Sequence, residues 1–125
     1  MALTSYKALV WYGGATVTSP CVAGGRQCTV LVLGGAGGCG TTGIQLARHL
    51  YSRGVNIIAT CGADDMSYCQ ALGANVTYDY RAKQQWWQLL ANASIDTIYD
   101  TVGEAGTADR AMPLLSGAPC AMPPP

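Results

Sequence analysis

Gly35-Ala36-Gly37-Gly38-Cys39-Gly40 is the stretch of this sequence whose residue types and spacing can do chemistry. Its glycines fall at the first, third and sixth positions, and each has a physical task. Gly35 permits a tight turn, Gly37 lets backbone approach a pyrophosphate with no Cβ in the way, and Gly40 lets a helix pack closely on a strand. A helix opening straight afterwards aims its free N–H groups and the positive end of its dipole at the phosphates. The amides between Leu33 and that helix are therefore expected to cradle a diphosphate. Such a glycine pattern is weak when it stands alone and strong between a strand and a helix.

Both neighbours are present. Thr29-Val30-Leu31-Val32-Leu33 is a continuous aliphatic and β-branched run, as expected of a strand buried on both faces. Over 42–53, Ile44, Leu46, Ala47, Leu50 and Tyr51 lay an apolar stripe along a helix that Gly54 would stop. The cycle then repeats. Strands are expected over 55–60, 75–78 and 95–99, with helices over 65–72, 83–91 and 107–115, the last interrupted near Pro113. A weak fifth strand is expected over 117–122, where Pro119 intervenes. Strands alternating with helices imply parallel pairing through crossovers. The expected fold is α/β, a Rossmann-type doubly wound parallel sheet of about five strands, and incomplete. Residues 1–28 read as a hinge helix and lead-in, 29–122 as the sheet domain and 123–125 as a proline-rich tail.

The second strand ends in Ala59-Thr60-Cys61-Gly62 with no carboxylate at its tip. An acid there would bind the ribose hydroxyls of NAD, so its absence removes repulsion against a 2′-phosphate and tilts the reading toward NADP. The sequence nearby offers no Lys or Arg for that phosphate. Asp64 and Asp65 read as helix-start residues favoured by the macrodipole.

Other chemistry fares worse. The six cysteines include no CxxC pair and His49 is the only histidine, which argues against a metal site. Cys39 and Cys61 read as small fillers, because no His or Lys stands beside either to lower its pKa. His49 reads as a surface or half-buried helical residue. Trp86 and Trp87 read as one core and one surface aromatic, since a stacking platform for bases would also need basic neighbours. With enough apolar residues for a core, the cysteines are expected reduced. Half the chain is hydrophobic, 11% is charged and the formal net charge is zero. That balance excludes a basic field for nucleic acid, and no apolar run reaches membrane-spanning length.

Leu31 to Gly40, followed by Ile44-Gln45-Leu46-Ala47, resembles the medium-chain dehydrogenase/reductase superfamily, in its zinc-independent quinone oxidoreductase branch. Leu72-Gly73-Ala74, Tyr78-Asp79-Tyr80 and Asp96-x-x-Tyr99-Asp100-Thr101-Val102-Gly103 follow in the order that family shows. Ala59-Thr60-Cys61 is similar to the mitochondrial reticulon-4-interacting oxidoreductases, and Leu3 to Leu9 resembles the helix that precedes the nucleotide domain there. The resemblance implies that Gly35, Ala36, Gly37, Gly38, Cys39 and Gly40 line a pyrophosphate turn and that Cys61 and Gly62 flank the adenosine ribose. It puts Tyr80 on the adenine side and Thr101 and Val102 near the cofactor's middle. Ser often stands in the family where Gly62 is, and Val where Cys39 is.

The activity so implied is an NAD(P)H-dependent quinone oxidoreductase, with NADPH as cofactor and NADH as the alternative. A quinone or enone would be the substrate of the full-length enzyme. No catalytic residue is assigned, since the domain that would complete the substrate pocket is not represented, and little or no turnover is expected of the chain alone. The setting implied is intracellular, mitochondrial or cytoplasmic, and a homodimer is allowed. The competing reading is a non-catalytic interaction module derived from a truncated oxidoreductase, its open sheet edge inviting another chain.

Overall fold

The computed structural model describes residues 27–50, 55–82, 85–91, 94–102 and 110–115. The expected hinge helix over residues 4–12, the fifth strand over 117–122 and the proline tail lie outside these. Four strands are described: β1 (Thr29–Leu33), β2 (Asn56–Cys61), β3 (Val76–Asp79) and β4 (Thr97–Asp100). They form one parallel sheet in the order β3-β2-β1-β4. The helices are α1 (Gly38–Leu50), α2 (Met66–Leu72) and α3 (Trp86–Leu89), with 3₁₀ turns at Ala63–Asp65 and Met112–Leu114.

The alternation of side chains along β1 explains its unbroken apolar run. Val30 and Val32 point to one face, where Ile57, Ala59, Ile44 and Ala47 meet them, while Leu31 and Leu33 point to the other, among Ile58, Trp86, Ile95 and Leu114. Both faces are thus covered, as all-parallel sheets require. Helices α1 and α2 back the first face; α3 and the Met112–Leu114 turn back the second.

Two clasps hold the entry ends of the strands. Asp96 accepts from the Thr29 amide through Oδ2 at 2.8 Å and returns its own N–H to Thr29 O at 2.9 Å. Arg48, on α1, donates to Gly73 O from Nε at 3.2 Å and Nη2 at 2.6 Å, and to Val55 O from Nη1 at 3.0 Å. It also reaches Asn75 Oδ1, which accepts from Ile57 N at 2.9 Å. One guanidinium therefore ties α1 to the start of β2 and to the loop between α2 and β3.

Sequence boundaries moved by a few residues. The first helix starts at Gly38 rather than 42, and the segment expected to begin a helix at Asp65 first makes a 3₁₀ turn. The helix expected over 83–91 is the single turn Trp86–Leu89, and β4 starts two residues late. Ile95, before it, makes an isolated parallel bridge to Leu115. Cys28 departs from the expectation of reduced thiols, because it is disulfide-bonded. A sufficient core removes the need for a staple but does not keep two thiols apart. Cys39, Cys61 and Cys69 are not in disulfides.

Candidate functional site

Register brings the exit ends of the strands together. Leu33 of β1 pairs with Thr60 of β2 and Asp100 of β4, and Cys61 pairs with Asp79 of β3. The chain leaves β1 toward β2 and β3 on one side, whereas β4 lies on the other, so the order reverses at β1. Crevices of open α/β sheets form at such a reversal, beyond the strands' carboxyl ends. Here a crevice of about 400 Å³ lies there, floored by Leu33, Gly34, Ala36 and Gly37. Cys61, Gly62, Asp65 and Tyr80 wall it beyond β2 and β3; Trp87, Thr101, Val102 and Arg110 wall the opposite side.

The tight turn belongs to Gly34, not to Gly35 as the spacing suggested. Gly34 has φ +82°, and a Cβ on it would sit 2.6 Å from Thr101 Oγ1. Gly35 is buried instead against Ala59, Ile44 and Cys69, each within 3.3 Å of where its Cβ would be. Gly40 does the packing expected of it, since a Cβ there would come 2.0 Å from Gly34 O. Gly37 is exposed, and its Cβ would meet only Gly34 O at 3.5 Å.

The expected cradle is narrower than the whole turn. Gly34 N donates to Thr60 Oγ1 at 3.2 Å, Gly35 N to Thr60 O at 2.8 Å and Gly37 N to Gly34 O at 3.2 Å. These three amides hold the turn in shape and are already engaged. The first turn of α1 follows, and its amides have no carbonyl four residues back inside the helix. Thr41 N closes onto Gly37 O at 2.9 Å, and the first turn of α1 holds no acidic residue to oppose a phosphate.

Of the residues singled out in the sequence, Ala36, Gly37, Cys61, Gly62, Tyr80, Thr101 and Val102 line the crevice; Gly35, Gly38, Cys39 and Gly40 do not. Thr101 uses its hydroxyl internally, donating to Leu33 O at 2.6 Å while its N–H also reaches Leu33 O at 3.1 Å. Tyr80 is 45% exposed and takes Cys61 O through its N–H at 3.2 Å. Sequence reasoning missed Gly34, Thr60, Asp65 and Arg110. The run Leu33-Gly34-Gly35 already offered two candidates for the left-handed turn; Arg110 had no signal, because only folding brings it to the crevice.

Cys61 lines the crevice as a neutral thiol. Burial, reinforced by Cys69 and then by Asp65 and Asp79, pushes it from 9.0 up to about 12, and burial raises Cys69 as well. Because thiolate is the nucleophile, the intact chain at pH 8 should leave both thiols unlabelled by iodoacetamide, with labelling appearing only in denaturant. Rapid labelling of folded Cys61, read by peptide mass spectrometry, would contradict its burial. The raised value also means that the unfolded chain ionises first. The Cys61 contribution to stability is full below about 9 and drains away as pH climbs toward about 12. Cys61 therefore offers the crevice a neutral surface rather than an activated nucleophile.

No family model matches the chain. It is 37% identical over 109 residues to the protein named NAD(P)H oxidoreductase RTN4IP1, mitochondrial, of Drosophila melanogaster, covering 83% of this chain and 25% of that one. It is 37% identical over 76 residues to the 2-methylene-furan-3-one reductase of Solanum lycopersicum, covering 61% of this chain and 19% of the other. Among solved structures, a probable oxidoreductase from Mycobacterium abscessus superposes with a TM-score of 0.67 at 25% identity, over 90% of this chain and 32% of that one. The chain thus spans about a quarter of the length of that Drosophila relative.

Proposed function

We propose that the chain, which is similar over 83% of its length to a quarter of an NAD(P)H oxidoreductase, is the dinucleotide-holding part of a quinone or enone reductase of the medium-chain dehydrogenase/reductase kind. The observation that carries this is the crevice at the strand-order reversal, with the acid-free start of α1 beside its floor. In this reading the diphosphate lies at the first turn of α1, the adenosine ribose lies along Cys61 and Gly62, and Thr101 and Val102 face the cofactor's middle. The nicotinamide, when bound, supplies the hydride; this chain's residues bind and orient it. The acceptor, a quinone or activated alkene, lies between this part and a second domain of the longer protein. Residues 29–122 make up the nucleotide domain, 1–28 lead into it, and the mitochondrion is the compartment that the relative's name favours.

The finer reading is NADPH rather than NADH. Cys61 occupies the strand tip where an acid would repel a 2′-phosphate, and the Arg81 guanidinium lies 5.1 Å from the centroid of the Tyr80 ring, which supplies the cation lacking in the linear sequence. Asp65 on the same wall works against it.

Thermal melts of the 125-residue chain with each cofactor test both levels. A ligand that binds only the folded state stabilises it by about 2.7 kcal/mol at a hundredfold excess over Kd. The expected result is a rising midpoint with either cofactor and a larger rise with NADPH at equal concentration. No rise at millimolar cofactor refutes dinucleotide binding; an equal or larger rise with NADH refutes only the preference.

A further inference from the structure

Gly34 turns the chain out of β1 with a φ of +82°, a conformation that favours glycine. The same freedom lets a glycine leave that conformation, so the hold on it has to come from outside the residue. Two threonine hydroxyls supply it, from the strands on either side of β1. Thr60, next to last in β2 and only 3% exposed, accepts from Gly34 N through Oγ1 at 3.2 Å. Thr101, just past β4, gives its hydroxyl proton to Leu33 O at 2.6 Å and lies 3.3 Å from Gly34 O. Its Oγ1 also stands 2.6 Å from the place that a Gly34 Cβ would take. The amide side of residue 34 is thus held from β2 and its carbonyl side from β4, while Gly37 N closes on Gly34 O at 3.2 Å.

We propose that Thr60 and Thr101 are positioning residues: together they fix Gly34 so that the first turn of α1 is already aimed when a diphosphate arrives. Both act through the turn, and their role in binding rests on the dinucleotide reading above. A glycine turn left to itself has to be ordered by its ligand, and that ordering is subtracted from affinity. Bracing the turn in the free protein removes the cost beforehand. The brace is made of side chains, so it can be taken out without altering a glycine.

Thr60→Val keeps the outline of the side chain and removes the acceptor. Calorimetry with NADPH on the 125-residue chain is expected to show about tenfold weaker binding, the scale of one buried donor left unpaired. Thr60→Ser, which keeps the hydroxyl, restores most of the loss. Thr101→Val weakens binding in the same direction, and the double variant loses less than the product of the two, because both act on one residue. In the ligand-free chain, Thr60→Val speeds hydrogen exchange at the Gly34 amide, read by NMR, while the Leu31 amide keeps its wild-type rate. A threonine that served the sheet as a whole would move both amides together and leave the affinity of the folded chain alone. Thr101 is half-buried, and Thr101→Val carries the same two readouts if Thr60→Val does not fold. Wild-type NADPH affinity in a folded variant overturns the proposal, as do losses that multiply in full or an unchanged exchange rate at Gly34. A wild-type chain that binds no NADPH overturns the dinucleotide reading instead, and the exchange rates still report on the brace by itself.

Discussion

Gly40→Val is expected to disrupt the native turn and, with it, to take away a large share of the stability of the fold. Even one added carbon would sit 2.0 Å from Gly34 O and 2.8 Å from both Gly34 C and Gly35 Cα. These atoms are backbone, and they cannot swing aside as a flexible side chain would. Gly34 is moreover held by Thr60 Oγ1 and crowded by Thr101, so retreat in either direction breaks another contact. Separating α1 from β1 to make room would open the cluster of Val30, Val32, Ile44 and Ala47. Overpacking of this kind costs roughly 1–3 kcal/mol in a side-chain core, and against fixed backbone the cost should lie at or above the top of that range, a large share of the 5–15 kcal/mol of a typical domain. Urea melts followed by circular dichroism measure it; a variant as stable as wild type would mean that α1 does not approach Gly34 as described.

Gly37→Asp should do the opposite, leaving stability near wild type while removing dinucleotide affinity. Gly37 is exposed, its φ is not left-handed, and its Cβ would meet only Gly34 O at 3.5 Å. The substitution is therefore tolerated sterically. Its carboxylate, however, would stand at the mouth of α1, where the diphosphate is proposed to lie. Like charges so placed cost several kcal/mol, or roughly a hundredfold or more in Kd. Calorimetry with NADPH on the folded variant checks this, and Gly37→Asn separates charge from bulk by losing less. Retained affinity in Gly37→Asp would move the phosphates away from this turn.

The two glycines also show what the sequence made legible. The motif and its flanking elements were readable because their periodicities differ: β1 is apolar throughout, whereas α1 is apolar every third or fourth residue. Burial of β1 on both faces followed from composition alone. The roles of individual glycines did not follow, since Gly34 and Gly35 are chemically the same letter and only the path of β4 past the turn decides which takes the left-handed conformation. The engaged amides were hidden for a similar reason. Thr60 sits 25 residues beyond Gly35, and it reaches the turn only because β2 pairs in register with β1. Arg110 was out of reach altogether, since its place over Trp87 depends on tertiary packing that no spacing encodes.

Thr60 has a consequence for how such a protein can change over evolution. Both its main chain and its hydroxyl hold the glycine turn, while Gly62, two residues on, accepts from Asp65 N. In the proposed reading, the turn that would meet the phosphates and the segment that would meet the ribose are joined at this threonine. On that reading, drift at positions 62–65 would retune which dinucleotide is preferred while the bonds of Thr60 to the turn stay in place.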